Sequence, residues 1–207
     1  MNTYLNKPIK VAIIEDNRFI RDGLKIMLDV EQDLKLVGSY PSCEEAFHYD
    51  DIGNADLVII DINLPGISGI EGVKYLKKYL PLVKVIICTA YEDDENVFNA
   101  IIAGAIGFLS KKASPAELIK TLRMVNNGGS PMTPNVAVKI FSFFQKQELK
   151  QSSIALTEIE KKVIEKISLG KSYSTAAKEL IETEEVILFQ IRSIYRKLQN
   201  KLIKINI

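Results

Sequence analysis

Apolar and polar residues alternate in blocks along residues 9–124, and the blocks show two different periods. Five short apolar runs have the length and composition of strands that are buried on both faces. The runs are residues 9–14, 34–40, 57–60, 83–88 and 106–109. Between them, apolar residues spaced three and four positions apart predict helices. Because strands and helices alternate, right-handed crossovers predict an α/β fold with a doubly wound, five-stranded parallel sheet covered by helices on both faces.

Capping residues mark the expected starts of these helices. Asn17 precedes the first, and Ser42 with Glu45 forms a predicted capping box at the second. The third helix is expected from about Ser68 to Leu80, before Pro81, and the acidic residues 92–95 open the fourth, which is expected to reach Ile102. Ser114, Pro115 and Glu117 predict a cap, a first-turn proline and a capping-box acid for the fifth.

The pattern changes near residue 126, where glycine and proline replace the apolar runs. We expect a first domain in residues 1–127, a linker in 128–152 and a second domain in 153–207. An amphipathic helix is expected in the linker from its apolar residues Val136, Ile140, Phe143 and Phe144. Three helices with short turns, starting at Thr157, Ser172 and Thr183 and ending near residue 198, predict a helix-turn-helix in the second domain.

Composition narrows the class of protein further. The 207 residues are 47% hydrophobic and 26% charged with a net charge of +1, which is typical of a soluble globular protein. No apolar run approaches the roughly 20 residues that a membrane-spanning helix needs, and the first ten residues do not resemble a signal peptide. Cys43 and Cys88 are isolated, and with His48 they make no plausible zinc site. We therefore expect a cytoplasmic protein.

Candidate chemistry lies at the ends of the predicted strands. Glu15 and Asp16 follow the first strand, Asp61 the third, Thr89 the fourth and Lys111 the fifth. The carboxyl ends of parallel strands lie at one edge of the sheet, so these side chains should converge. Clustered carboxylates repel one another unless a hard cation such as Mg²⁺ joins them. With Mg²⁺ and Lys111 nearby, Asp61 could stay ionised and attack a phosphoryl group.

Each of these residues also has a simpler explanation. Asp61 could cap the following helix, Thr89 could form a strand-end turn, and Lys111 could be a solvated loop charge. Their placement at one sheet edge favours a shared site over three separate structural roles.

The chain resembles the receiver domain of two-component response regulators over about residues 8–127. The resemblance is carried by Asp61 with Pro65-Gly66 and by the segment Gly107-Phe108-Leu109-Ser110-Lys111. It implies a flavodoxin-like fold, phosphorylation of Asp61 by a sensor histidine kinase, and a switch formed by Thr89, Phe108 and Lys111. It also implies that Mg²⁺ is bound by Glu15, Asp16, Asp61 and the carbonyl of Asn63. Lys112 stands where many receivers have proline, so the resemblance gives no ground to assume a cis peptide bond there.

Two other classes of protein share parts of this pattern. Phosphatases of the haloacid dehalogenase type also become phosphorylated on an aspartate at a strand end. These enzymes share a second aspartate two residues later, which acts as general acid and base. This chain has Asn63 there, so turnover should be slow and we expect no enzyme. Flavin binding is disfavoured because Glu15 and Asp16 replace a hydroxyl-rich phosphate loop.

The second domain resembles the LuxR/NarL type of DNA-binding domain over about residues 154–202. The resemblance rests on matching residues along its three helices: Leu156, Thr157, Glu160, Val163, Gly170, Ser172, Ala177, Leu180, Ile194, Lys197 and Leu198. It implies that the whole chain is a NarL-type response regulator. We expect it to be a homodimer when phosphorylated and to control transcription at promoter DNA.

The expected DNA-reading helix departs from its family at Val186-Ile187-Leu188-Phe189-Gln190, because the usual lysine and histidine are missing. The candidate DNA contacts are Gln190, Arg192, Arg196 and Lys197. Leu188 and Phe189 offer only apolar contact, for instance to thymine methyl groups. An exposed apolar patch also fits the alternative that the phosphorylated receiver acts through a protein partner instead of DNA. The chain ends at Ile207, so the family's fourth helix is expected to be short or missing.

Overall fold

The computed structural model describes residues 7–90, 94–129 and 156–205. The predicted linker helix lies outside the described residues. Five strands form one parallel sheet in the order β2-β1-β3-β4-β5. The strands are β1 Ile9–Ile14, β2 Leu34–Tyr40, β3 Leu57–Ile60, β4 Lys84–Thr89 and β5 Gly107–Ser110. The doubly wound sheet is confirmed, with β4 and β5 each beginning and ending one residue later than expected.

Helices connect the strands and cover both faces of the sheet. They are α1 Arg18–Asp29, α2 Cys43–His48, α3 Gly69–Tyr79, α4 Asp94–Ala103 and α5 Pro115–Asn126. A short 3-10 helix, Asp50–Asn54, follows α2 and was not expected. The predicted start of α4 at Glu92 lies outside the described residues.

Local side-chain bonds explain where the helices begin. Asn17 caps α1, and full capping boxes form between Ser68 and Glu71 and between Ser114 and Glu117. At α2, Ser42 Oγ accepts a hydrogen bond from the Glu45 N–H at 3.2 Å, which is the one half of the predicted box that the structure records.

The core lies on both sides of the sheet because successive strand residues point to opposite faces. Leu57 and Ile59 of β3 pack with Leu28 of α1 and Leu122 of α5. On the other face, Val58 and Ile60 pack with buried residues of α2, α3 and α4, namely Ala46, Leu76 and Ala100. This two-sided burial holds the carboxyl ends of β1, β3, β4 and β5 at one edge.

Residues 156–205 form three helices: α6 Glu158–Ser168, α7 Tyr173–Leu180 and α8 Glu184–Ile205. The helix-turn-helix arrangement is confirmed, and α8 continues seven residues past the expected end near residue 198. Buried apolar residues from all three helices form the core of this unit: Val163, Ile167, Ala176, Ile187, Ile191 and Tyr195. Among the described residues, no helix has the length and apolar character needed to cross a membrane.

Candidate functional site

The sheet places the predicted site residues at the carboxyl ends of its central strands. Extensions of the backbone ladder fix their positions, since the Glu15 N–H donates to the Tyr40 carbonyl at 3.0 Å. In the same way, the Asp61 N–H donates to the Ile14 carbonyl at 3.0 Å, and the Lys111 N–H donates to the Thr89 carbonyl at 2.9 Å. Glu15, Asp61 and Lys111 are therefore positioned by the sheet itself.

Lys111 joins the two buried carboxylates of the site. Its Nζ lies 2.7 Å from Glu15 Oε2 and 2.9 Å from Asp61 Oδ2. Glu15 is only 2% exposed and Asp61 only 5% exposed. Because burial weakens the screening of charge by water, the ammonium group of Lys111 interacts strongly with both carboxylates.

A third carboxylate leaves the site short of positive charge. Carboxylate oxygens of Glu15, Asp16 and Asp61 all lie within 4.8 Å of one another. Asp16 is exposed, and Asp61 Oδ1 is buried without a hydrogen-bond partner among the described residues. An unpartnered buried carboxylate oxygen beside two further carboxylates fits a hard divalent cation, because such cations bind oxygen ligands.

The pKa values show the same imbalance. Burial raises the pKa of the Glu15 carboxyl above its ordinary value, although the hydrogen bond from Lys111 acts in the opposite direction. For Lys111, burial acts to lower the pKa, but the hydrogen bonds to Glu15 and Asp61 outweigh burial and raise it. The lysine is thus firmly protonated, while one ammonium does not fully offset the cost of burying Glu15.

Three further residues also shape the site, and of these the sequence predicted only Asn17, as the cap of the first helix. Arg21 Nη1 donates to the carbonyls of Glu15 at 2.5 Å and Asp16 at 3.0 Å, which holds the turn after β1. Asn17 caps α1 and donates its backbone N–H to Glu15 Oε1 at 3.2 Å. Gly69 begins α3, where a Cβ atom would collide with the Asp61 carbonyl oxygen. Arg21 lies one helical turn after Asn17, and this spacing could have predicted that its side chain reaches back to the turn after β1.

The remaining receiver residues occupy the same edge of the sheet. Thr89 is fully buried at the end of β4, and Asn63 is exposed in the loop after Asp61. Phe108 on β5 is only 4% exposed, so its ring already lies in the core in this structure. The peptide bond before Lys112 is trans, since the described residues contain no cis peptide bond.

Comparison with known proteins agrees with this geometry. Residues 11–123 match the model of the response regulator receiver domain, which is more than half of the chain. The chain belongs to the response regulator family. The transcriptional regulatory protein UhpA of Escherichia coli (strain K12) is 35% identical to this response regulator over 172 residues, covering 83% of this chain and 82% of UhpA. UhpA is a transcriptional regulatory protein, and this chain is a two-component response regulator that controls transcription.

Solved structures match both parts of this response regulator. The RcsB response regulator of Salmonella typhimurium superimposes with a TM-score of 0.61 at 20% identity, covering 93% of this chain and 92% of RcsB. A solved complex of RcsB with DNA gives a TM-score of 0.59 at 21% identity and covers 93% of each chain. At this level of identity, the two structures establish a shared fold.

The candidate DNA contacts occupy different environments on α8. Arg196 is exposed, and Gln190 is half-buried. The Arg192 guanidinium lies against Gly128 at the end of α5, where a Cβ atom on the glycine would be 2.6 Å from Nη2. Lys197 Nζ lies 2.7 Å from Oε2 of the buried Glu160 of α6. Lys197 therefore holds α6 and α8 together in this structure.

Proposed function

We propose that a sensor histidine kinase phosphorylates this response regulator at Asp61 and that phosphorylation controls its binding to promoter DNA. The observation that carries this proposal is the state of Asp61 itself. One of its oxygens is bound by Lys111 at 2.9 Å, and the other is buried without a partner among the described residues. A carboxylate held by one oxygen leaves the second available as a nucleophile.

The residues of the site have distinct roles in this step. A carboxylate oxygen of Asp61 attacks the phosphorus of a phosphohistidine, an O–P bond forms, and the P–N bond breaks with its electron pair moving to the imidazole. Lys111 and Thr89 then hold oxygens of the new phosphoryl group. Asn63 carries an amide, which cannot act as a general base, at the position where a general base would stand, and this supports a long-lived phosphorylated state.

Glu15, Asp16, Asp61 and the Asn63 carbonyl are the residues that would hold Mg²⁺. The bound ion would neutralise charge on the transferring phosphoryl oxygens. Glu15 and Asp16 reach the site from the turn that Arg21 fixes, so the chain presents these carboxylates before any phosphoryl group arrives.

A route from the receiver to DNA is supported by the contact between the two parts of the chain. Helix α8 contacts α4, which follows the strand that carries Thr89, and Arg192 of α8 lies against Gly128. Arg192 is therefore partly withdrawn from a duplex in this arrangement. We infer that phosphorylation, acting through Thr89 and Phe108, weakens this contact and releases α8.

Several finer features belong to the same proposal. We infer that residues 1–127 form the receiver, that 128–152 link it to the DNA-binding domain in 153–207, and that the phosphorylated form is a homodimer in the cytoplasm. The RcsB–DNA complex, which shares this fold over most of the chain, supports DNA as the target. Exposed Arg196 and the released Arg192 would bind backbone phosphates.

Phosphorylation is tested with acetyl phosphate as donor and intact-mass spectrometry as readout. Wild type should be labelled with Mg²⁺ present and lose labelling when the cation is chelated, and Asp61→Asn should not be labelled. Asp50→Asn, an exposed aspartate outside the site, is the matched control and should be labelled like wild type. Labelling of Asp61→Asn, or labelling that is indifferent to chelator, would contradict the assignment.

DNA binding is tested with genomic fragments by fluorescence anisotropy, with and without acetyl phosphate. The phosphorylated form should bind more tightly than the unmodified form. Raising the salt should weaken binding steeply, and Arg196→Ala should weaken it further and flatten the salt dependence. Absence of binding by the phosphorylated protein at low salt would overturn the DNA-binding part of the proposal.

A further inference from the structure

The outward face of α8 carries an exposed aromatic ring. Ile187 and Ile191 of α8 are buried in one core with residues of α6 and α7, and Ile194 is buried on the same side of α8, so the opposite side of the helix faces outward. Phe189 lies on that outward side and is 62% exposed. It stays exposed even though Arg192, three residues later, lies against Gly128. The ring is therefore covered neither by the helical unit nor by the receiver.

Phe189 shares its face of α8 with charged residues. Helical spacing places Glu185 one turn before it and Arg192 and Arg196 one and two turns after it. The ring lies in the second turn of the 22-residue helix, near the N-terminal end, where the recognition helix of a helix-turn-helix contacts base edges, and both arginines follow it. Arginines one and two turns along the helix can bind backbone phosphates while the ring contacts a base edge.

We propose that Phe189 contacts the C5-methyl group of thymine in the major groove and so makes this regulator selective for thymine at that position. A phenyl ring has no donor or acceptor for the edges of guanine, cytosine or adenine, whereas the thymine methyl is the apolar group that the major groove displays. The inference rests on the proposed DNA binding and names the base feature that it recognises.

The expected effect follows from the size of one methyl group. Burial of one methyl-sized apolar group corresponds to about a fourfold change in affinity. Replacing thymine by uracil removes only this methyl and leaves base pairing and phosphate charge unchanged. A uracil-containing site should therefore bind wild type about fourfold more weakly for each methyl that Phe189 contacts.

The test uses the full chain phosphorylated with acetyl phosphate and a duplex selected from a random-sequence library. Affinity is measured for the thymine duplex and for duplexes with uracil at one position at a time. Wild type should lose affinity at one or two positions, and Phe189→Ala should bind thymine and uracil duplexes equally. Phe189→Leu, which keeps an apolar group, should retain part of the discrimination. Leu169→Ala removes an exposed apolar residue after α6 and should discriminate like wild type.

The outcomes separate this inference from the proposed function. Binding that is salt-dependent and weakened by Arg196→Ala, but equal for thymine and uracil duplexes in wild type, would overturn the thymine contact and leave DNA binding intact. Discrimination that persists in Phe189→Ala would assign the methyl contact to another residue and overturn the inference as well. No binding to any duplex at low salt would overturn both and indicate a protein partner for Phe189.

Discussion

Replacing Glu160 removes a buried carboxylate that joins the first and last helices of residues 156–205. Glu160 is 1% exposed, and its Oε2 accepts hydrogen bonds from the Thr157 N–H at 2.6 Å and from Lys197 Nζ at 2.7 Å. Its Oε1 accepts a hydrogen bond from Ser193 Oγ at 2.8 Å. The first bond belongs to the capping box of α6, and the other two reach α8. One side chain therefore ties the start of one helix to the middle of another.

The magnitude follows from what each variant leaves behind. Hydrogen bonds to a charged group contribute about 1.5–3 kcal/mol each, and breaking a buried ion pair costs about 3–5 kcal/mol. Lys197 is 32% exposed and can regain water, so we expect Glu160→Ala to cost about 3 kcal/mol, at the lower end. Glu160→Gln keeps the volume and one acceptor, so we expect about 1–2 kcal/mol. A unit of about 50 residues has a free energy of unfolding of roughly 2.5–7.5 kcal/mol. The alanine variant should therefore lose a large part of the stability of residues 156–205.

The pH dependence has a defined sign. Burial acts to raise the pKa of Glu160, but its hydrogen bonds with Lys197, Thr157 and Ser193 outweigh burial and lower the pKa below its ordinary value of 4.5. A lowered folded-state pKa contributes stability above the unfolded-state pKa, and that stability is lost as pH falls through the folded-state value. Wild type should therefore lose stability in this unit below about pH 4.5, and Glu160→Gln should lose less over that range.

Hydrogen-exchange mass spectrometry of the full chain measures the opening free energy of α6 and α8 separately from the sheet. Glu158→Gln is the matched control, because Glu158 lies in the same first turn with its side chain 81% exposed and paired to exposed Lys161. An exposed pair contributes about 0–1 kcal/mol, so the control should change little. Equal costs for Glu158→Gln and Glu160→Gln, or a Glu160→Ala variant within about 0.5 kcal/mol of wild type, would refute this reasoning.

Three further predictions follow from single features of the structure. Thr89→Ala should accept phosphate from acetyl phosphate yet show no phosphorylation-dependent gain in DNA affinity, and a gain equal to wild type would disprove the coupling. Ile181 is left-handed at φ 57° and 93% exposed, so Ile181→Gly should raise the opening free energy of α7 by about 1 kcal/mol in hydrogen exchange; a loss would refute the strain argument. Burial raises the pKa of the Cys43 and Cys88 thiols to about 12, so iodoacetamide at pH 8 should modify them slowly in the folded protein and readily in urea. Rapid modification of the folded protein would contradict that burial.

Local patterns in the chain determined much of the receiver. An unbroken apolar run as short as Leu57–Ile60 indicates a strand covered on both faces, and alternation with helices favours a parallel, doubly wound sheet. A parallel sheet brings its carboxyl ends together, so the convergence of Glu15, Asp61 and Lys111 could be predicted without coordinates. Caps such as Ser68 and Thr157 could be predicted for the same reason, because their bonds reach only three residues along the chain.

The tertiary structure decided which partner each long side chain takes. Lys197 was predicted as a DNA contact from its position, and its pairing with Glu160 could not be predicted, because Glu160 lies 37 residues earlier and becomes a neighbour only when α6 packs on α8. Two further contacts depend in the same way on how the chain packs. The Arg192 guanidinium lies against Gly128, and the backbone of Gly69 lies close to the Asp61 carbonyl. The sequence alone determined the pocket because strand ends share an edge by topology. Contacts between flexible side chains of separate elements depend on distances that exist only in the folded chain.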